Sequence, residues 1–151
     1  MKPTGQQPLD TRRSLVAALL IGVGLMAAVD EIVFHQLLAW HHFFDRATPA
    51  IGLLSDGLLH AAELIFLVAG FFLLSELKRQ HALAKGYARA GFFLGAGGFQ
   101  LFDGVIDHKL LRVHQVRYVD NLWPYDLGWN AAGVALLLIG WWLLRRARHA
   151  P

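Results

Sequence analysis

The sequence predicts an all-α protein: a four-helix transmembrane bundle built from a duplicated two-helix hairpin, with both termini cytoplasmic. Three observations predict it. Apolar residues make up 56% of the 151 positions and charged residues only 17%, against about 25% in soluble domains, and the mean hydropathy is +0.42. The apolar residues gather in four runs, each covering the ~20 residues that a helix needs to cross ~30 Å of hydrocarbon. Finally, Asp-x4-His-x5-His occurs twice, as Asp30, His35 and His41 and as Asp103, His108 and His114.

The elements follow in order. A cytoplasmic tail over 1–13 carries Lys2, Arg12 and Arg13. Helix 1 is expected over 14–44. Its start, Thr11-Arg12-Arg13-Ser14-Leu15-Val16, is similar to a twin-arginine export signal. The run lacks a clear Ala-x-Ala cleavage site and matches the third run, so it is read as a retained span. Helix 2 is expected over 50–77, and Lys78, Arg79, Lys85 and Arg89 mark the connection that follows. Helix 3 is expected over 89–114 and helix 4 over 125–145, with Asp126 as an N-cap after Pro124. Residues 147–151 form a second tail, so a single membrane domain covers 14–146.

Lys and Arg concentrate in the tails and in the 2–3 connection, which the positive-inside rule places in the cytoplasm. The 1–2 and 3–4 connections then face the periplasm or exterior. Trp123, Tyr125 and Trp129 mark the outer interface, with Trp141 and Trp142 near the inner one. A net charge of +3 with basic residues in tails and one loop does not suggest a nucleic-acid partner. The absence of Cys excludes thiolate metal sites, disulfides and thiol catalysis. Two Met, one of them the first residue, disfavour a Met-rich copper site.

The repeat extends beyond the acid-His positions. A shift of 73 takes Asp30 to Asp103, and also aligns Gly22 with Gly95, Gly24 with Gly97, and Leu37-Leu38 with Leu110-Leu111. A shift of 70 aligns Asp56 with Asp126, Ala61-Ala62 with Ala131-Ala132, and Gly70 with Gly140. A duplicated hairpin inserts both copies with one orientation, related by an axis along the membrane normal. The glycines are read as close-packing positions. The halves differ: Glu31, His42, His60 and Glu63 face Gly104, Gln115, Asn130 and Gly133, and only Asp107, in place of Phe34, enriches the second half.

With this topology the polar groups collect in the outer half of the membrane. Exposing Asp30, Glu31, Asp56, Glu63, Asp103 and Asp107 to lipid costs roughly 15–20 kcal/mol on the insertion scale, so they must face the bundle interior. Lys109 and Arg112 are the only bases near that depth, and both can snorkel outward. Protons, mobile cations or a bound metal must therefore balance the acids. Asp56, His60 and Glu63 share one face of helix 2 at i, i+4, i+7, and Glu31, His35 and His42 share one face of helix 1. In an α-helix, however, Asp30 and His35 point about 140° apart, as do Asp103 and His108. Either those His face another helix or each helix is locally distorted.

The blocks Asp30-Glu31-Ile32-Val33-Phe34-His35-Gln36-Leu37-Leu38, Trp40-His41-His42, Asp56-Gly57-x-x-His60 and Asp103-Gly104-x-Ile106-Asp107-His108-Lys109-Leu110-Leu111-x-x-His114-Gln115-Val116-Arg117 resemble those of an uncharacterised family of bacterial membrane proteins, domain of unknown function 2243. The resemblance spans nearly the whole chain. It implies a multi-pass protein of the bacterial inner (cell) membrane and brings no activity with it.

From residue chemistry the expected function is a His/carboxylate metal site open to the periplasm, redox or hydrolytic. His35, His60 and His108 are the expected ligands, with Glu31, Asp56, Glu63, Asp103 and Asp107 as ligands or supports. His41, His42, His114 and Asp30 are second choices, the three histidines as a lid near the outer surface. Imidazoles beside carboxylates suit Zn, Fe, Mn or Cu, and a bis-His haem is a less favoured variant. His81 and His149 are read as exposed cytoplasmic groups. One alternative is a proton or cation carrier using the same groups, although the inner half offers few polar steps. Another is a non-enzymatic assembly factor or subunit of a larger membrane complex. The expected partners are the lipid bilayer and a membrane protein or second copy of the chain. No Ser-His-Asp arrangement stands out, so the sequence leaves enzymatic activity open.

Overall fold

Among the described residues, four helices make up the fold. α1 (Thr11–Val29) runs on into a π-helical segment, Asp30–Leu37. α2 is Pro49–Arg79. α3 (Lys85–Leu101) likewise continues as a π-helical segment, Phe102–Leu111, and α4 is Trp123–Arg148. This is a computed structural model, and it describes residues 8–149. Lys2 and the ends of both expected tails lie outside the described residues.

Three of the helices, Thr11–Leu37, Pro49–Arg79 and Trp123–Arg148, are long and apolar enough to cross a membrane. The helix over 85–111 is not among them, against the expectation of four comparable runs. Arg89, Asp103, Asp107, Lys109 and six glycines dilute its hydropathy. Its position explains why it tolerates them. α1 and α3 pack against each other in the middle, α2 lies on α1 and α4 on α3, so α3 presents less of its surface outward.

Backbone contact between the central helices needs residues without side chains. A methyl group at Gly22 would stand 2.1 Å from the carbonyl oxygen of Phe92, and one at Gly95 would stand 2.1 Å from that of Leu19. The outer contacts follow the same pattern: a methyl group at Gly24 would stand 2.9 Å from the Glu63 carbonyl oxygen, and one at Gly97 would stand 2.9 Å from that of Gly133. These pairs stand at the offsets of 73 and 70 read from the sequence.

Polarity is inverted relative to a soluble protein. The fully buried residues include Asp30, Asp56, Glu63, Asp103, His108 and His114, while Leu58, Ile65, Phe72 and Leu138 are exposed on α2 and α4. Large exposed apolar faces of this kind mark contact with lipid or with other proteins. At one end the start of α1 is tied to the α2–α3 connection. The Asp10 N–H donates to the Ala82 carbonyl at 2.8 Å, and the Ala84 N–H donates to Ser14 Oγ at 2.9 Å.

At the other end the expected helices are too long. The first stops at Leu37 rather than 44, and the third at Leu111 rather than 114. Ala39 (φ 49°) and Arg112 (φ 52°) follow the two π segments in the left-handed region, which turns the chain out of the helix. Residues 38–48 then form a loop bonded to the 3–4 loop, the Asp45 N–H donating to the Val113 carbonyl at 3.0 Å. Asp126 makes no helix cap; its carboxylate pairs with Lys109 Nζ at 2.7 Å.

Candidate metal centre

The π segments settle the 140° problem. A π-turn hydrogen-bonds i to i+5, so residues five apart come onto one face. The Leu38 N–H donates to the Val33 carbonyl at 2.9 Å in this register. Asp30 thereby meets His35, with Oδ2 3.5 Å from Nε2, and Asp103 meets His108 at 3.1 Å. The loops after the π segments then fold back and deliver His41 and His114. His41 Nε2 lies 4.0 Å from Asp30 Oδ1, and His114 Nε2 lies 3.3 Å from Asp103 Oδ1.

The two triads meet face to face. Ring centroids are 4.5 Å apart within each pair, His35–His41 and His108–His114. Between pairs, His35–His114 and His41–His108 are both 6.1 Å apart. His41 and His114 stack at 4.6 Å with an interplanar angle of 9°. Paired distances of this kind are those of a local two-fold axis passing between the stacked rings.

Backbone carbonyls orient the stacked pair. His41 Nδ1 contacts the Val116 carbonyl at 2.9 Å, and His114 Nδ1 contacts the Phe43 carbonyl at 2.8 Å. A carbonyl only accepts, so each Nδ1 carries the proton and, in the neutral ring, each Nε2 carries the lone pair. His41 lies in the loop beyond the first span and is held neutral. Burial first, then His114 and His35, push its pKa down to about 2, against the opposing pull of Asp103. Lone pairs on Nε2 therefore face carboxylate oxygens with no donor between them. Among the described residues, both oxygens of Asp30, Oδ2 of Asp103, and Nε2 of His35, His41, His108 and His114 are buried without a hydrogen-bond partner.

Around His35 lies a third grouping. Its Nδ1 is 2.8 Å from Glu31 Oε2 and 3.1 Å from Asp56 Oδ1. Asp56 also accepts from the Phe43 N–H at 2.7 Å and meets His42 Nδ1 at 2.5 Å. Gln36 Nε2 donates to Glu31 Oε1 at 2.8 Å. These contacts clamp the 38–48 loop onto α2. Three groups of donor atoms each fall within 4.8 Å of one another: His41, His108 and His114; Asp30, His35 and His41; and Glu31, His35 and Asp56.

Several expectations change. His41, His114 and Asp30, read from sequence as second choices, lie within the buried cluster with His35 and His108. His41 and His114 are buried rather than forming a lid, because the helices end before them. His60 stays outside: its side chain is 51% exposed on α2 and, among the described residues, pairs with Glu63 alone, at 2.6 Å. The expected shared face of Asp56, His60 and Glu63 is split, since Asp56 and Glu63 turn inward. His42 reaches Asp56 from the loop rather than from a helix face. Asp107 is buried in the second π segment, and among the described residues its side chain makes no hydrogen bond or ion pair with the triads. The orienting carbonyls of Phe43 and Val116 went unrecognised in the sequence, although they too stand at the 73-residue offset. Trp129, whose ring lies 5.8 Å from His108, gave no signal beyond its place at the interface.

At the loop end of the bundle a cavity of about 360 Å³ is lined by Trp40, His41, His42, Asp45 and Tyr118. Burial and the neighbouring Asp45 push the Tyr118 hydroxyl up to about 12. A second cavity, of about 300 Å³, opens beside α1 and α2 and is lined by Glu31, Gln36, Asp56 and His60 among others.

A family model described as "Predicted membrane protein (DUF2243)" matches residues 17–147. No curated protein and no solved structure matches the chain.

Proposed function

The chain belongs to the DUF2243 family of predicted membrane proteins, and on that premise we propose that it is an integral membrane metal-binding protein. Its site is the pair of triads Asp30–His35–His41 and Asp103–His108–His114. The observation that carries this is the meeting of buried Nε2 atoms and carboxylate oxygens without hydrogen-bond partners among the described residues, with the carbonyls at Nδ1 of His41 and His114 leaving the Nε2 lone pairs of those two neutral rings free. A cation between them satisfies both sides. Protons are a poorer answer, because charging both stacked rings would hold two positive charges face to face at 4.6 Å.

The spacing suits a metal. Bonds of ~2.1 Å at the tetrahedral angle put two ligand atoms ~3.4 Å apart, and the four His–Asp separations are 3.1, 3.3, 3.5 and 4.0 Å. Two His and one carboxylate leave further coordination positions open for substrate, the pattern of non-haem iron sites, and the same donors accept Mn, Zn or Cu. Two such positions side by side suit redox or hydrolytic chemistry shared between two ions. A haem does not suit the stacked, closely paired rings. The carrier reading is weakened at the other end of the molecule. There Gly91 and Gly95 pack against the backbone carbonyls of Leu15 and Leu19, and Ala17, Ala18 and Ile21 are buried alongside, which leaves few polar groups for a relay among the described residues.

The finer membrane picture is also ours. All four helices span, the hairpins arose by duplication, both termini are cytoplasmic, and the centre lies in the outer half of a bacterial inner membrane. Matched glycine contacts and matched ring distances support the duplication, and Arg145, Arg146 and Arg148 beside the α2–α3 connection support the orientation.

Elemental analysis of detergent-purified protein after metal-replete growth tests the proposal. One to two equivalents of a transition metal are expected, falling sharply in His41→Ala and His114→Ala. Less than a tenth of an equivalent in the wild type refutes it.

A further inference from the structure

The two triads share their geometry but not their surroundings. In the first half, Glu31 and Asp56 flank His35 Nδ1 at 2.8 and 3.1 Å. At the corresponding offsets the second half has Gly104 and Asp126. Gly104 brings no side chain, and Asn130 Oδ1 and the Trp129 ring press close against it, 2.7 Å from where a Cβ would stand. Asp126 is drawn away by Lys109 Nζ at 2.7 Å. His108 is fully buried, and its Nδ1 has no partner among the described residues.

A carboxylate on the distal nitrogen of a ligating His fixes the ring, fixes the tautomer and makes the metal-facing nitrogen a stronger donor. His35 Nδ1 bonds Asp56 and has Glu31 as a second carboxylate 2.8 Å away, whereas His108 Nδ1 has no partner among the described residues.

We infer that the two metal positions are inequivalent, and that Glu31 and Asp56 are positioning residues that make the Asp30–His35–His41 position the tighter one. The Asp103–His108–His114 position is then the more weakly held and more readily exchanged. This rests on the metal-binding reading above.

The test is a titration of cobalt(II), whose visible absorption reports ligand geometry, into metal-free full-length protein against a competing chelator. Wild type should take two equivalents in two affinity classes at least tenfold apart. Glu31→Gln with Asp56→Asn should weaken the tight class about 10–100-fold and shift its absorption band, leaving the weak class unchanged. The surviving weak class also reports that the double variant is folded. If the double variant binds nothing, Glu31→Gln alone decides: the same selective weakening supports the inference, and unchanged binding overturns it. A single class in the wild type, or a tight class indifferent to these substitutions, overturns inequivalence while the metal reading stands. Failure of the wild type to bind stoichiometric cobalt overturns both.

Discussion

Gly95→Ala should part the two central helices and damage the proposed metal centre, while Gly98→Ala should not. The new methyl at position 95 would stand 2.1 Å from the carbonyl oxygen of Leu19, whereas a methyl at Gly98 meets nothing within 4 Å. Carbon–oxygen contacts settle at about 3.3 Å or more, so α1 and α3 must separate by about 1.2 Å. Overpacking of this kind costs about 1–3 kcal/mol, offset by the ~0.5–1 kcal/mol that alanine gains over glycine within a helix. Gly98→Ala keeps only that gain. The assay is reversible unfolding in mixed micelles by SDS titration, followed by circular dichroism, with metal content measured on the same samples. Gly95→Ala should unfold earlier and hold less metal, because the opened interface carries one triad on each side. Gly98→Ala should unfold at the wild-type midpoint or later and keep its metal. Equal midpoints for the two variants would refute the close packing on which the centre depends.

Other outcomes follow from the same geometry. His108→Ala should lose the metal of its own position, about half of the total, while His60→Ala retains both, since among the described residues His60 pairs with Glu63 alone on an exposed flank; elemental analysis of both variants decides. Stripping metal with a chelator should lower the thermal midpoint, because an ion present at about a hundred times its Kd contributes about 2.7 kcal/mol; an unmoved midpoint argues against a buried site. Ala39→Gly should leave the unfolding midpoint unchanged or raised, since glycine removes the ~1–2 kcal/mol left-handed penalty at some cost in chain entropy. Ala39→Val should lower that midpoint.

Much of the centre could be read before any coordinates. The spacing Asp-x4-His-x5-His named all six residues of the two triads, and the shift of 73 paired them. Ranking them was another matter. Ideal α-helical geometry turned His35 away from Asp30 and carried His41 out along a continuous helix, so His60, in phase with Asp56 on α2, looked the better ligand. A five-residue spacing is out of phase in an α-helix and in phase in a π-turn. Composition does not reveal which of the two the backbone adopts.

By itself the sequence determined the membrane class, the helical framework and the kinds of donor atom available, because hydropathy, length and residue chemistry are local properties. The tertiary structure alone decided which donors converge. Side-chain direction depends on the helical register, on where Ala39 and Arg112 turn the chain, and on the carbonyls of Phe43 and Val116 that hold the returning rings. Those are relations between segments about seventy residues apart, and no local pattern encodes them.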